Sequence, residues 1–324
     1  MELTTLVLAL AWSFKAGASA DAPPLATDDR VFYAASDKKL YALNAADGQE
    51  LWSRRFKAPL PVPPVSGDGY IYQYVPYPEG SIYALRPSDG KVIWKSPAGP
   101  GVVSAAAGGG IVAAGRGRAA VFYDRLTGDE RGRVSFDDDV VGASYVGGES
   151  FVVWTGKGSV ARCGPSGGDA AWEIEAAIGG VSAVAAGGRV YVGAASGEVA
   201  CYDLETGDEC WFVDTGERLT DAAPYVVDGV VMVAGRRRVF ALSCADGEVR
   251  WTSEPGGNVV GAAPYAGGAV VACEDGRVVF AREGGGEPTE LARLDAYAAA
   301  APLVAEGRVY VTDGKKSLEC YRFE

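Results

Sequence analysis

The 324-residue sequence predicts an all-β fold, an eight-bladed β-propeller with four antiparallel strands per blade. Three observations predict it. A strand–turn–strand word recurs, ending on tryptophan: "YALNAADGQELW" (41–52), "YALRPSDGKVIW" (83–94), "CYDLETGDECW" (201–211) and "FALSCADGEVRW" (240–251). The interval is 42 residues from Trp52 to Trp94, 39 from Trp172 to Trp211 and 40 from Trp211 to Trp251, which is the period of a propeller blade. The 45 glycines, beside only 2 methionines, favour turns and short strands over long helices.

A second recurring word supplies the remaining strands. "DAPPLATDDRVFYAAS" (21–36), "DAAPYVVDGVVMVAG" (221–235), "GAAPYAGGAVVAC" (261–273) and "AAAPLVAEGRVYVT" (299–312) each read as a strand, a Gly or Asp turn and a second strand. Each blade is therefore an Ala-Pro strand A, a Val/Tyr-rich strand B, strand C, an Asp-Gly or Thr-Gly turn, and the tryptophan strand D. Strands B to D fall at 30–52, 69–94, 109–132, 149–172, 188–211, 229–251 and 267–291, and an eighth unit begins at 307–324 without its strand D. Trp12 lies 40 residues before Trp52, so residues 3–14 are expected to pair with the C-terminal blade 307–324 and close the ring. Closure removes the free sheet edge of a linear array. The whole chain, 1–324, reads as one propeller domain, expected to be a monomeric ring.

The N-terminal "LTTLVLALAW" followed by "AGASA" also reads as a signal peptide, but it carries Glu2 and no Lys or Arg before the apolar run. Cleavage after Ala20 would remove Trp12. The strand reading prevails, favouring a cytoplasmic over an exported or periplasmic location. The run is too short for a membrane helix.

A net charge of −12 argues against nucleic-acid or anionic-membrane partners. The absence of histidine excludes His-ligated metals and leaves acid–base chemistry to other side chains. The six cysteines, Cys163, Cys201, Cys210, Cys244, Cys273 and Cys320, have no CxxC spacing and read as free thiols acting as small hydrophobes. Asp137, Asp138 and Asp139 read as a solvated loop rather than a calcium site.

The D-strand word resembles the tryptophan-docking repeat of the pyrroloquinoline-quinone (PQQ)-type propeller family, which includes quinoprotein alcohol dehydrogenases and BamB-like propellers. Ala42, Asp47, Gly48 and Trp52 carry the resemblance, as do Ala84, Asp89, Gly90 and Trp94, and Ala241, Asp246, Gly247 and Trp251. Asp203, Thr206, Gly207 and Trp211 match best, with Cys201 in the alanine slot. Gly132 and Leu291 occupy the tryptophan slot in two departing blades, and Arg162 the alanine slot beside Trp172. The resemblance implies that Trp12, Trp52, Trp94, Trp172, Trp211 and Trp251 are structural, packing between blades.

In the family's dehydrogenases, the resemblance implies PQQ held between a tryptophan and an adjacent Cys-Cys disulfide, with calcium and an aspartate base. No Cys-Cys pair occurs here, and strands A offer small apolar residues to the channel. No cofactor or metal is therefore expected. The reading is a non-catalytic scaffold for a protein or peptide partner, with a small-ligand sensor or PQQ-dependent relative as the alternative. Partner contact is expected on the face shared by B–C and D–A loops. Its candidate residues are Tyr72, Tyr74 and Tyr77 in "QYVPYPEGS" and its flank, Arg54 and Arg55, Arg116 and Arg118, and Arg236, Arg237 and Arg238. That face is expected to be basic at its rim and the opposite face acidic.

Overall fold

The computed structural model describes residues 7–27, 29–98, 104–166, 168–176, 180–220 and 223–324. Among them the strands form eight four-stranded antiparallel sheets. No helix among these residues is long and apolar enough to cross a membrane. Seven sheets follow chain order A–B–C–D from the axis outward. Strand A of blade 3 (Ala106–Gly108) touches strands A of blades 2 (Val65–Gly67) and 4 (Val140–Gly147), so the innermost strands surround the axis.

The eighth sheet joins the two chain ends. Its strands A (Leu303–Ala305), B (Arg308–Thr312) and C (Ser317–Phe323) are followed by the N-terminal strand Leu8–Lys15 in the D position. The register runs antiparallel from Leu8 opposite Phe323 to Lys15 opposite Ser317. The expected strand 3–14 is thus found from Leu8; residues 3–6 lie outside the described residues. A bulge between Leu10 and Trp12 sets Trp12 opposite Cys320, which fills the alanine slot of this blade. The same one-residue irregularity sets Trp52 opposite Ala42 and Trp94 opposite Ala84. Bulges bend a strand and re-aim its side chains, here turning each indole toward the next blade.

The core is distributed over the seams rather than gathered at one centre. Tyr72, Ile82 and Trp94 of blade 2 pack with Val112, Val121 and Tyr123 of blade 3. Trp12 and Tyr310 of blade 8 pack with Val31, Tyr33 and Leu43 of blade 1. Strands B and C, covered on both faces by neighbouring blades, are continuous apolar runs: "IVAAG" and "SIYAL" are buried throughout. Strands D form the outer edge and alternate, as in "ELWSRR".

Candidate partner-binding face

The tryptophans are placed by a repeated contact. Nε1–H of Trp52 donates to Pro87 O at 2.8 Å, of Trp94 to Arg125 O at 2.7 Å, of Trp172 to Leu204 O at 2.9 Å and of Trp211 to Cys244 O at 3.1 Å. Trp12 donates to Ala45 O at 3.0 Å, locking blade 8 to blade 1. Each acceptor lies at the C–D turn of the next blade, and the turn glycine lies against the ring. A Cβ on Gly90 would stand 2.6 Å from the Trp52 ring, and one on Gly247 2.7 Å from Trp211. Trp251 is buried with Val259, Val271 and Val279 of blade 7, and Leu291 fills the equivalent place before blade 8. A seventh tryptophan, Trp154, outside the repeat word, is buried on strand B of blade 4 with Gly142 closely opposed.

The tyrosine-bearing segment differs from expectation. Tyr70–Val75 is strand B of blade 2, and only residues 76–80 form the loop to strand C (Ser81–Leu85). Tyr72 is 1% exposed in the blade 2–3 seam, its ring 5.8 Å from Trp94. Tyr74 is 4% exposed beside Val62. Both side chains therefore lie within the propeller and not on its face. The strand continues to Val75 because blade neighbours cover it on both sides; the break comes at Pro76, which has no N–H to give the ladder.

Tyr77 remains outside, 87% exposed between Pro76 and Pro78. Beside the same loop is a shallow groove lined by Arg54, Arg55, Phe56, Lys57, Glu79 and Tyr83. Arg54 donates to Gly90 O at 3.0 Å, and Arg55 is exposed. Glu79 is held in place: Tyr83 Oη donates to its carboxylate at 3.0 Å, with Lys95 Nζ at 3.5 Å and Lys57 Nζ at 4.0 Å. Burial and the Glu79 bond push the Tyr83 hydroxyl above the ordinary tyrosine range, against the opposing effect of Lys95.

The remaining arginines do not line this groove. Arg116 and Arg118 lie on blade 3, and Arg236 to Arg238 on blade 6, across the ring from blade 2. The expected basic rim is also corrected, because D–A loops bring acids to the same face. Lys157 meets Asp138 at 3.8 Å and Arg238 Nε meets Glu217 at 2.9 Å. Arg116 pairs with Glu130 at 3.4 Å. Arg118, Arg236 and Arg237 are exposed, whereas Arg238 is half-buried over the Phe240 ring. The face carries mixed charge.

The channel offers little to a quinone. Its strands present short runs such as Leu25–Ala26, Val65–Gly67 and Leu303–Ala305. The tryptophans pack in the seams, leaving no indole as a floor for a planar ring. The cysteines are free, and burial pushes the thiols of Cys163, Cys273 and Cys320 up to about 12, 11 and 11. Among the described residues, no group of three His, Cys, Asp or Glu side chains is placed to hold a metal. The residues present do not fit PQQ as the resemblance implies it is held.

These features define an eight-bladed propeller of the tryptophan-docked kind. The family model for outer membrane protein assembly factor BamB matches residues 9–98, 78–211 and 156–292, and the chain belongs to that family. Among solved structures it is similar to BamB from Moraxella catarrhalis, at 14% identity and TM-score 0.79, covering 98% of both chains. It is similar to the computationally designed Ika8 protein, at 15% identity and TM-score 0.82, covering 97% of this chain and 99% of that one. It also resembles quinohemoprotein alcohol dehydrogenase from Comamonas testosteroni, at 14% identity and TM-score 0.77, covering 97% of this chain and 76% of that one. These likenesses carry the fold. No curated protein matches the chain by sequence.

Proposed function

We propose that the chain is a non-catalytic scaffold that docks an extended protein or peptide segment on its B–C/D–A face at blades 1 and 2. The observation that carries this reading is Tyr77, exposed on a proline-flanked loop beside the Arg54–Tyr83 groove. A tyrosine brings large contact area at small entropic cost, and flanking prolines reduce what the loop must lose on binding. Arg54, Arg55 and Lys57 favour an acidic segment. Membership of the BamB family supports a protein partner over a small-molecule one.

Placing the photo-crosslinker p-benzoyl-phenylalanine at Tyr77 in the native host, with a control at Glu205 on the opposite face, tests the reading. A discrete adduct from position 77, weakened by Arg55→Glu and absent from position 205, is the expected result. Equal adducts from both faces, or none from Tyr77, would remove this face from consideration. In parallel, PQQ should leave the melting temperature unchanged, since ligand at about 100 times its Kd would add about 2.7 kcal/mol if the channel bound it.

A further inference from the structure

Half of the cysteines converge on one seam. Cys201 lies on strand C of blade 5 (Glu198–Asp203) and Cys210 on its strand D (Glu209–Asp214). The register passes from Tyr202 opposite Glu209 to Cys201 opposite Trp211, leaving Cys210 as the extra residue of the bulge. Both bulge residues therefore lie opposite Cys201 across the ladder, at the close approach of paired antiparallel strands that a disulfide requires. Cys201 is fully buried, with the Cys210 thiol and the Arg189 guanidinium near enough to shift its ionisation, while the Cys210 thiol donates to Asp208 O at 3.9 Å. Cys210 is exposed. Across the seam, Cys244 of blade 6 packs in the same cluster as Cys201 and Tyr191, and its carbonyl accepts from Trp211 and Arg189. In blades 1, 2 and 6 the residues equivalent to Cys201 and Cys210 are Ala42 and Leu51, Ala84 and Ile93, and Ala241 and Arg250, so the thiol pair belongs to blade 5 and not to the repeat.

We propose that Cys201 and Cys210 are an oxidisable dithiol, converted by a hydroperoxide into a disulfide across the C–D hairpin of blade 5. The exposed Cys210 sulfur attacks the peroxide; the O–O bond breaks, a sulfenic acid forms, and the second oxygen leaves as an alcohol or water carrying the Cys210 proton. The Cys201 sulfur then attacks the Cys210 sulfur. The S–S bond forms as the S–O bond breaks, and the departing hydroxide takes the Cys201 proton to leave as water. Two electrons pass from the thiols to the peroxide. The order follows from access: an exposed thiol beside a resolving partner is the arrangement of reversible oxidation. Burial, and then the neighbouring Cys210, push the Cys201 thiol up to about 12, which keeps it protonated until the sulfenic acid is beside it, while Arg189 opposes that shift.

Hydrogen peroxide treatment of the intact chain, followed by denaturation in N-ethylmaleimide and unreduced peptide mapping, tests the proposal. The expected product is a Cys201–Cys210 linkage reversed by dithiothreitol, with Cys163, Cys273 and Cys320 alkylated. Full alkylation of both thiols, a Cys210–Cys244 linkage, or dimers through Cys210 would overturn it. Cys201→Ala places in blade 5 the residue that blades 1, 2 and 6 already carry, so it should fold. In that variant Cys210 should stop at a dimedone-trapped sulfenic acid or pass on to sulfinic acid; a reversible intramolecular disulfide at Cys210 would again refute the pairing.

Discussion

Trp211 buries an indole between blades 5 and 6, spends its only polar atom on Cys244 O, and lies against Gly247, whose φ is +77°. Removing the ring opens a cavity that neighbouring sheets cannot close, so Trp211→Ala should cost about 3–5 kcal/mol in chemical denaturation. Gly90→Ala places a Cβ 2.6 Å from Trp52 on a backbone with φ +66° and should cost about 1–3 kcal/mol. A loss of only a few tenths in either variant would show that the ring does not depend on these contacts. The tryptophans, their small partners on strand C and the Gly turns were legible in the sequence, because each recurs within one hairpin. The glycine's second role was not. Its indole comes from the preceding blade, more than thirty positions away, and no local word records that neighbour. Tyr72 and Tyr74 misled for the opposite reason: polar hydroxyls beside prolines read as loop, while burial by two flanking blades kept the segment a strand.

The C–D turn is the element that links each blade to the one before it, and its aspartates hold it closed. Asp203 Oδ1 accepts from the N–H of Glu205 at 2.8 Å and of Thr206 at 2.9 Å, and these bonds hold its carboxyl below the ordinary range. Asp89, bonded to Arg86 and to the Lys91 N–H, is lowered to about 2, and Asp246 is lowered by Ser243 and the Glu248 N–H. Their folded-state pKa values lie below the unfolded ones, so the stability they contribute is complete above the unfolded value of about 4 and is lost as pH falls toward 2. Melting temperature should therefore hold from pH 7 to about 4 and decline below it. Asp203→Asn should shallow that decline without moving its onset; an unchanged acid limb would assign the loss to other carboxylates. The turn type and its Asp and Gly were readable from sequence. The charge character of the opposite face was not, because the D–A acids that meet Lys157 and Arg238 are distant in the chain from the bases they neutralise.

At the scale of the molecule, the ring is held by seams repeated around an axis, and its last seam depends on the chain's first strand. Without Leu8–Lys15, strand C of blade 8 would lose its outer partner, and Ala45 O its Trp12 donor. Deleting residues 1–20 should sharply lower the melting temperature, as Trp12→Ala should on its own to a smaller degree. Closure was legible only because the C-terminal unit lacks its tryptophan strand while Trp12 lies one blade period before Trp52. Of the residues read from sequence as one face, Tyr77, Arg54 and Arg55 share one end of blades 1 and 2, while the other arginines lie on blades 3 and 6. The most direct test of the account is amide hydrogen exchange followed peptide by peptide. If the ring is closed as described, amides in 8–15 should be protected to the same degree as those of Glu50–Arg55, the outer strand of blade 1. Exchange of 8–15 at the rate of an unstructured peptide, with Glu50–Arg55 still protected, would contradict it.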